Sequence, residues 1–493
     1  MIRNPIYKLA AKNLVLLLLS IVLTRFSQGL WIGAMTLTGI VWALSGKSGK
    51  ALSMYFIIIS LVAMNPILLP MGGYFGSLVR FGPLLIGLAL MLKGMSLSGQ
   101  SRVPLGMLVA YLFVAIISSM NGWAPIVSYL KIANFLVFVL GFWFGIHTLS
   151  CDPGGVGYLR ATFLAYSAFL ILGSLLLLPF PAISTLSGFE LAMREGNLEA
   201  ANAALMSIDG GVCIDGGVSL FCGITRQSQA FAILAGTVLS WLIADMLFVE
   251  KRFDMLHLSL IGVGVLLTYL SRSRAGLLAL LVGIVMVAMY LPKKIRLSVN
   301  ISRRLRTGLK VFLLLGFFAG VVSELTSSSL SQWLRKVEHV EEDARSLSEA
   351  VTSSRQGLIE ESVRDFWRNP MFGSGFQVAE DTAKLVAYAG SSMVISAPIE
   401  KGVLPVMVLG ESGFVGAIFF AVFLFSFYSA CFRRRLYVTA ALFTVLLATN
   451  MGEATFFSPG GVGGVIWTIS IIGGYCIDIH LLNERASCVQ KWQ

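Results

Sequence analysis

Long apolar runs that never alternate between oily and polar positions leave this chain few folds to choose from. A bilayer's hydrocarbon core is roughly 30 Å thick, and a helix rising about 1.5 Å per residue needs about 20 mostly apolar residues to cross it. Backbone groups find no water there, so only helices and closed barrels can face lipid. Barrel strands alternate and these runs do not, which excludes a barrel. The fold class is therefore all-α, a polytopic integral membrane protein. Candidate spans lie near 13–24, 30–45, 51–69, 78–95, 103–119, 126–148, 158–180, 228–249, 255–271, 275–292, 309–325, 403–430, 436–452 and 460–483. That makes about fourteen, or twelve if the first two short segments are half-spans or a tight hairpin; both counts are even. Composition agrees: 13% of the residues are charged, against roughly 25% in a soluble domain.

Lys and Arg are retained on the cytoplasmic side in short loops, so their distribution orients the chain. With both termini inside, inner segments receive 22 of the 37, including the clusters 293–310 and Arg433–Arg434–Arg435. The short outer loops hold only Arg25, Arg272 and Arg274. Most of the net charge of +12 is thus spent on inner anchors facing anionic headgroups, and nucleic acid is discarded as a partner. No small-residue cleavage site precedes a mature soluble sequence, so the first helix is expected to stay as an anchor.

Two outer excursions, 181–227 and 326–402, interrupt what reads as one membrane domain over 1–493. The second holds 11 of the 25 acidic side chains, and it is where chemistry is expected. Within it, Ser353 or Ser354 can cap a helix from Arg355 to Trp367, with Leu358, Ile359, Val363, Phe366 and Trp367 forming an apolar stripe and Asn369-Pro370 stopping it. The first excursion contains Cys213 and Cys222, ten residues of Gly-rich chain on the side where oxidation is permitted, and a disulfide between them is expected. No nearby His or further Cys completes a zinc set, so no metal is expected, and no cofactor.

Three arginines lie where the positive-inside bias depletes them or where the excursions meet the membrane: Arg226, Arg274 and Arg355. An arginine at a helix end also snorkels on its own account, so position alone does not assign it a ligand. Guanidinium forks nevertheless match phosphate oxygens bidentately, and arginines converging at an outer surface fit a lipid diphosphate. Arg80 and Lys131 sit inside spans, where a charge is expensive unless it faces a cavity or a partner.

Motif order then carries a resemblance. A polytopic chain presents Gly223-Ile-Thr-Arg-Gln-Ser-Gln-Ala-Phe-Ala232 running into a helix, Ser273-Arg-Ala-Gly-Leu277 at a helix junction, and a large outer loop with Arg355. Trp367-Arg-Asn-Pro-Met-Phe-Gly-Ser-Gly375 follows, and then Gly410-Glu-Ser-Gly-Phe-Val-Gly416 opening the next helix. Over Cys222 to Gly416 the chain resembles the bacterial O-antigen ligase and O-antigen polymerase superfamily.

The resemblance implies glycosyl transfer from an undecaprenyl-diphosphate-linked saccharide on the periplasmic face of the bacterial inner membrane, without a nucleotide sugar or a metal. Arg226, Arg274 and Arg355 would hold the diphosphate and stabilise the charge of the leaving group. The implied partners are that donor, a glycan or lipid-linked acceptor, membrane lipids and other polysaccharide-assembly proteins. The chain departs from the family at Gly402, where members carry a histidine shortly before the Glu-x-Gly; here the neighbouring ionisable groups are Glu400 and Lys401. Glu400 is the first candidate for the general base that takes the acceptor hydroxyl's proton, although a solvated charge beside Lys401 accounts for it equally well. His339, in a charged run, ranks second.

The leading expectation is a surface-polysaccharide polymerase, making O-antigen or exopolysaccharide. The nearest alternative is a ligase that moves a finished glycan to lipid A core. A flippase or transporter of lipid-linked oligosaccharide belongs to another class, and many such proteins repeat internally, which this chain does not visibly do. The missing histidine also leaves open an inactive scaffold of a polysaccharide-assembly complex.

Overall fold

The computed structural model describes residues 5–27, 30–64, 73–95, 103–120, 122–179, 221–225, 227–250, 254–271, 273–290, 359–378, 403–452 and 455–490. Among them the chain is helical with no strand, and Met64 and Thr225 pair only as an isolated bridge. The helices are α1 (Pro5–Ser27), α2 (Leu30–Leu44), α3 (Ser48–Val62), α4 (Gly73–Gly94), α5 (Val103–Ser119), α6 (Pro125–Leu149) and α7 (Pro153–Leu176). They continue as α8 (Ser228–Asp245), α9 (Met255–Leu270), α10 (Arg274–Tyr290), α11 (Leu404–Arg433), α12 (Tyr437–Thr449), α13 (Gly461–Trp467) and α14 (Gly474–Gln490), with a further short helix at 359–368.

Six of the described helical segments are long and apolar enough to cross a membrane, and shorter apolar helices accompany them. Over its described residues every candidate span coincides largely with a helix, and 309–325 lies outside the described residues. The protein is an all-α, multi-pass membrane protein. The first span is longer than its apolar run suggests, because helix α1 starts at Pro5, a residue suited to a first helical turn, and carries Lys8 and Lys12 within it.

Two compact units divide the chain. Met1–Ala63, Met71–Phe163 and Gln356–Gln493 form the first; Met64–Pro70 and Leu164–Arg355 form the second. In the first, α4 and α6 meet at glycines: a Cβ on Gly141 would lie 2.6 Å from the Gly87 backbone. Small residues let helices approach closely where lipid offers no hydrophobic drive to association. The Asp152 carboxylate accepts from the amides of Gly155 at 3.0 Å and Gly49 at 3.1 Å, so one side chain caps the starts of both α7 and α3.

An aromatic core completes this unit. Tyr111, Phe135 and Phe376 each place a ring within 5.2 to 5.4 Å of Phe457, and Phe456 and Trp467 pack behind at 4.8 Å from each other. Offset and edge-on contacts of this kind suit the ring quadrupoles.

In the second unit α8 and α10 run in backbone contact, with Gly276 against Ala232 and a Cβ on Gly236 only 2.6 Å from the Gly276 carbonyl oxygen. Helix α8 ends in a π-turn, Met246–Glu250, and its Asp245 joins α9 through His257. The ring nitrogens of His257 lie 3.2 Å from Asp245 and 3.2 Å from Asp254.

Candidate functional site

The polar segment 359–378 and helix α11 form one construction. Helix 359–368 stops where Pro370 lacks an amide proton and biases the preceding residue away from helix. The Asn369 side-chain oxygen then accepts from the Phe372 amide at 3.4 Å, and its main-chain carbonyl from Gly373 at 2.8 Å, which turns the chain. Gly373 and Gly375 follow with φ of 75° and 113°.

Helix α11 is broken at Gly413, whose φ of 64° and ψ of −166° are open to glycine almost alone. An α-helix bonds each amide to the carbonyl four residues back, so this break removes the bonds that Phe414 and Val415 would make to Gly410 and Glu411. The turn 370–375 supplies all four missing partners. The amides of Phe414 and Val415 donate to the carbonyls of Pro370 and Met371 at 2.8 and 3.2 Å. The carbonyls of Gly410 and Glu411 accept from the amides of Ser374 and Gly375 at 2.9 and 3.1 Å. The turn is spliced into two helical hydrogen bonds. Buried backbone groups have no water to fall back on, so either partner alone would be costly.

The motif from Gly410 to Gly416, expected to open a helix, therefore lies well inside one. Its glycines have separate duties: Gly410 clears the Ser362 carbonyl, which a Cβ would approach to 2.6 Å, and Gly413 clears the Met371 backbone. The Glu411 side chain is fully buried, and its main-chain carbonyl also accepts from the Ser118 hydroxyl.

Helices α5 and α6 clamp the turn from the other side. The Phe376 amide donates to Ser119 Oγ at 3.1 Å and its carbonyl accepts from Ser128 Oγ at 3.0 Å, while its ring fills the aromatic core. Lys131 Nζ donates to the Gln377 carbonyl at 3.1 Å. Gln377 has a φ of 49°, uncommon for a residue with a Cβ, and it is buried. Ser374 Oγ donates to Asp365 at 3.0 Å, tying the turn back to its own helix. The charge inside α6 thus has a structural partner. Nothing local in the sequence marks Ser118, Ser119, Ser128 or Gln377, since the serines serve a turn some 250 residues away or more.

Of the residues expected to handle substrate, Arg274 is described: it is the first residue of α10, in the second unit, half-buried and beside the fully buried Ser273. A cation at a helix N-terminus opposes the helix dipole, whereas an anion there is favoured by both the dipole and the guanidinium. Gly276 sets this terminus directly against Ala232 of α8. Arg226, Arg355, Glu400 and His339 lie outside the described residues, as does Cys213. Cys222 is buried in a tight turn in which Thr225 donates to its carbonyl, with Gly223 at φ 56°.

Comparison with known proteins adds one finding. The family model described as O-Antigen ligase matches residues 258–421. No curated protein and no solved structure matches the chain. The matched stretch takes in Ser273–Leu277, the turn 367–375 and the break at Gly413, and leaves the Arg226 segment outside. This match over residues 258–421, about a third of the chain, supports the resemblance of this membrane protein to the O-antigen ligase and polymerase superfamily.

Proposed function

We propose that the protein is a polymerase of surface polysaccharide, O-antigen or exopolysaccharide, acting at the periplasmic face of the bacterial inner membrane. The donor in this reading is an undecaprenyl-diphosphate-linked glycan, and the acceptor is a sugar hydroxyl on a growing or lipid-linked chain. The family match over residues 258–421 is the observation that carries it, because that stretch contains Arg274, Arg355 and Glu400 together.

In the proposed step the acceptor oxygen attacks the donor's anomeric carbon, the bond from that carbon to the phosphate oxygen breaks, and lipid diphosphate departs with the electron pair. Arg274 and Arg355, assisted by Arg226, bind the diphosphate and stabilise the negative charge that grows on it. Glu400 takes the acceptor's proton, with His339 as the second candidate. No step calls for a metal.

A ligase is the second reading, favoured by the family's own description as O-Antigen ligase. The test is separate substitution of Arg274, Arg355 and Glu400 by Ala, with glycan chain length and lipid-linked repeat units measured at equal protein level. Short chains and accumulating lipid-linked units support the polymerase. Normal chain length with no transfer to lipid A core supports the ligase. Normal polymer in all three variants overturns the assignment, and failure of lipid-linked units to reach the periplasmic face points to a flippase.

A further inference from the structure

Helix 359–368 is amphipathic in the opposite sense to a lid that leans on a protein and faces water. Its buried side is polar: Ser362 and Asp365 are 3% exposed, and Asp365 accepts from Ser374. Its open side is apolar, with Val363 40%, Trp367 71% and, beyond Pro370, Met371 54% exposed. Residues spaced by four share a helix face, so Val363 and Trp367 make one stripe that Met371 and Phe372 extend. The charges Glu360, Arg364 and Arg368 flank it, and Arg368 lies 5.5 Å over the Trp123 ring.

The level of this stripe follows from the splice. From Phe414 to Arg433 helix α11 runs unbroken into the basic triplet Arg433–Arg434–Arg435. At about 1.5 Å per residue that stretch matches the roughly 30 Å of hydrocarbon. Its exposed side chains Phe414, Ile418, Val422 and Phe425 form an apolar stripe suited to lipid tails. Because Phe414 and Val415 bond to Pro370 and Met371, the exposed side chains of Met371 and Phe372 lie beside the Phe414 end of that stripe, the end away from the basic triplet. Tryptophan with flanking cations at such a boundary is the composition of an interfacial element.

We propose that residues 359–372 are seated in the headgroup–acyl boundary of the leaflet opposite the basic triplet, with Val363, Trp367, Met371 and Phe372 in contact with lipid acyl chains. This part of the excursion is a membrane-level sill and not a water-borne lid. Resting on the glycan-transfer reading, a lipid-linked diphosphate diffusing in that leaflet passes at the depth of this sill. The placement itself does not depend on which reaction the protein performs.

The test uses the full chain in phospholipid nanodiscs. A fluorophore on Met371→Cys is expected to be quenched several-fold more by lipids brominated near the top of the acyl chain than by aqueous iodide, and one on Glu360→Cys the reverse. Iodide quenching at 371 equal to that at 360 overturns the proposal in favour of a solvated lid. Protection from both quenchers overturns it in favour of a covering protein or a second copy. In the unmodified protein, a lipid-borne carbene probe should label peptides covering 359–372 and 414–425 alike; labelling of 414–425 alone overturns the proposal without recourse to any variant. Absence of glycan transfer by the parent chain, with quenching as expected, would count against the enzymatic reading only.

Discussion

The ammonium of Lys131 donates to the main-chain carbonyl of Gln377 at 3.1 Å from within an otherwise apolar helix. A charge in a span needs a partner, and this one holds the exit of the turn that completes helix α11. Replacing it by Met, similar in length and apolar, leaves a buried carbonyl without this donor, at a cost of about 1–3 kcal/mol. Lys131→Met is expected to lower the thermal midpoint of the detergent-solubilised protein and to reduce glycan transfer. An unchanged midpoint would show that the contact contributes nothing.

Two glycines separate the splice from ordinary helix propensity. Gly413→Ala places a Cβ against the Met371 backbone at a φ of 64°, so folded protein should fall sharply. Gly33→Ala, in α2 with nothing within 4 Å, should be neutral or stabilise by up to about 1 kcal/mol. Expression and size-exclusion profiles of the two variants check the contrast, and equal behaviour would mean that the break in α11 is dispensable.

Ser119 and Ser128 serve the amide and the carbonyl of a single residue, Phe376. Each Ser→Ala change should cost about 1–3 kcal/mol by stranding one buried group. Since both hold one peptide segment, the double variant should lose less than the sum, a coupling of about 0.5 kcal/mol or more in a double-mutant cycle. Strict additivity would mean that the two serines act on independent structures.

Arg274 tests charge against geometry. Lysine keeps the positive charge but not the planar fork, so Arg274→Lys should retain activity above Arg274→Ala and well below the parent. Full activity in the lysine variant would argue for simple charge neutralisation. Gly276→Val, which pushes α10 off Ala232, should reduce activity as Arg274→Ala does while leaving Arg274 in the chain.

The spans were legible because bilayer thickness acts on local composition, and an apolar run such as 103–119 reappears as helix Val103–Ser119. The splice was not. Its motifs, Asn369-Pro370 with Gly373 and Gly375, and Gly410 with Gly413, stand out as unusual runs of Gly and Pro, but their pairing is a tertiary fact that neither segment states alone. A glycine deep in an apolar run is the local signal of the break, although the motif order places Gly413 at a helix start. The stripe at Val363 and Trp367 was visible in the sequence, whereas its open direction follows from the burial of Ser362 and Asp365. Lys131 shows the same limit: its cost could be read from the sequence, its partner only from the fold.

The anchoring of Val378 and Leu404 bears on how such a protein diversifies. Val378 is fully buried against Val127, and the Leu404 amide donates to the Asn450 carbonyl at 3.0 Å, so the described chain is pinned on either side of positions 379–402. Residues 379–402, Glu400 among them, connect these two points in the sequence. Doubling the length of a flexible connection between two fixed points costs only about 0.6 kcal/mol in closure entropy. Insertions or deletions between Val378 and Leu404 are therefore expected to leave the spliced helix standing, since both of its anchors lie outside the altered stretch.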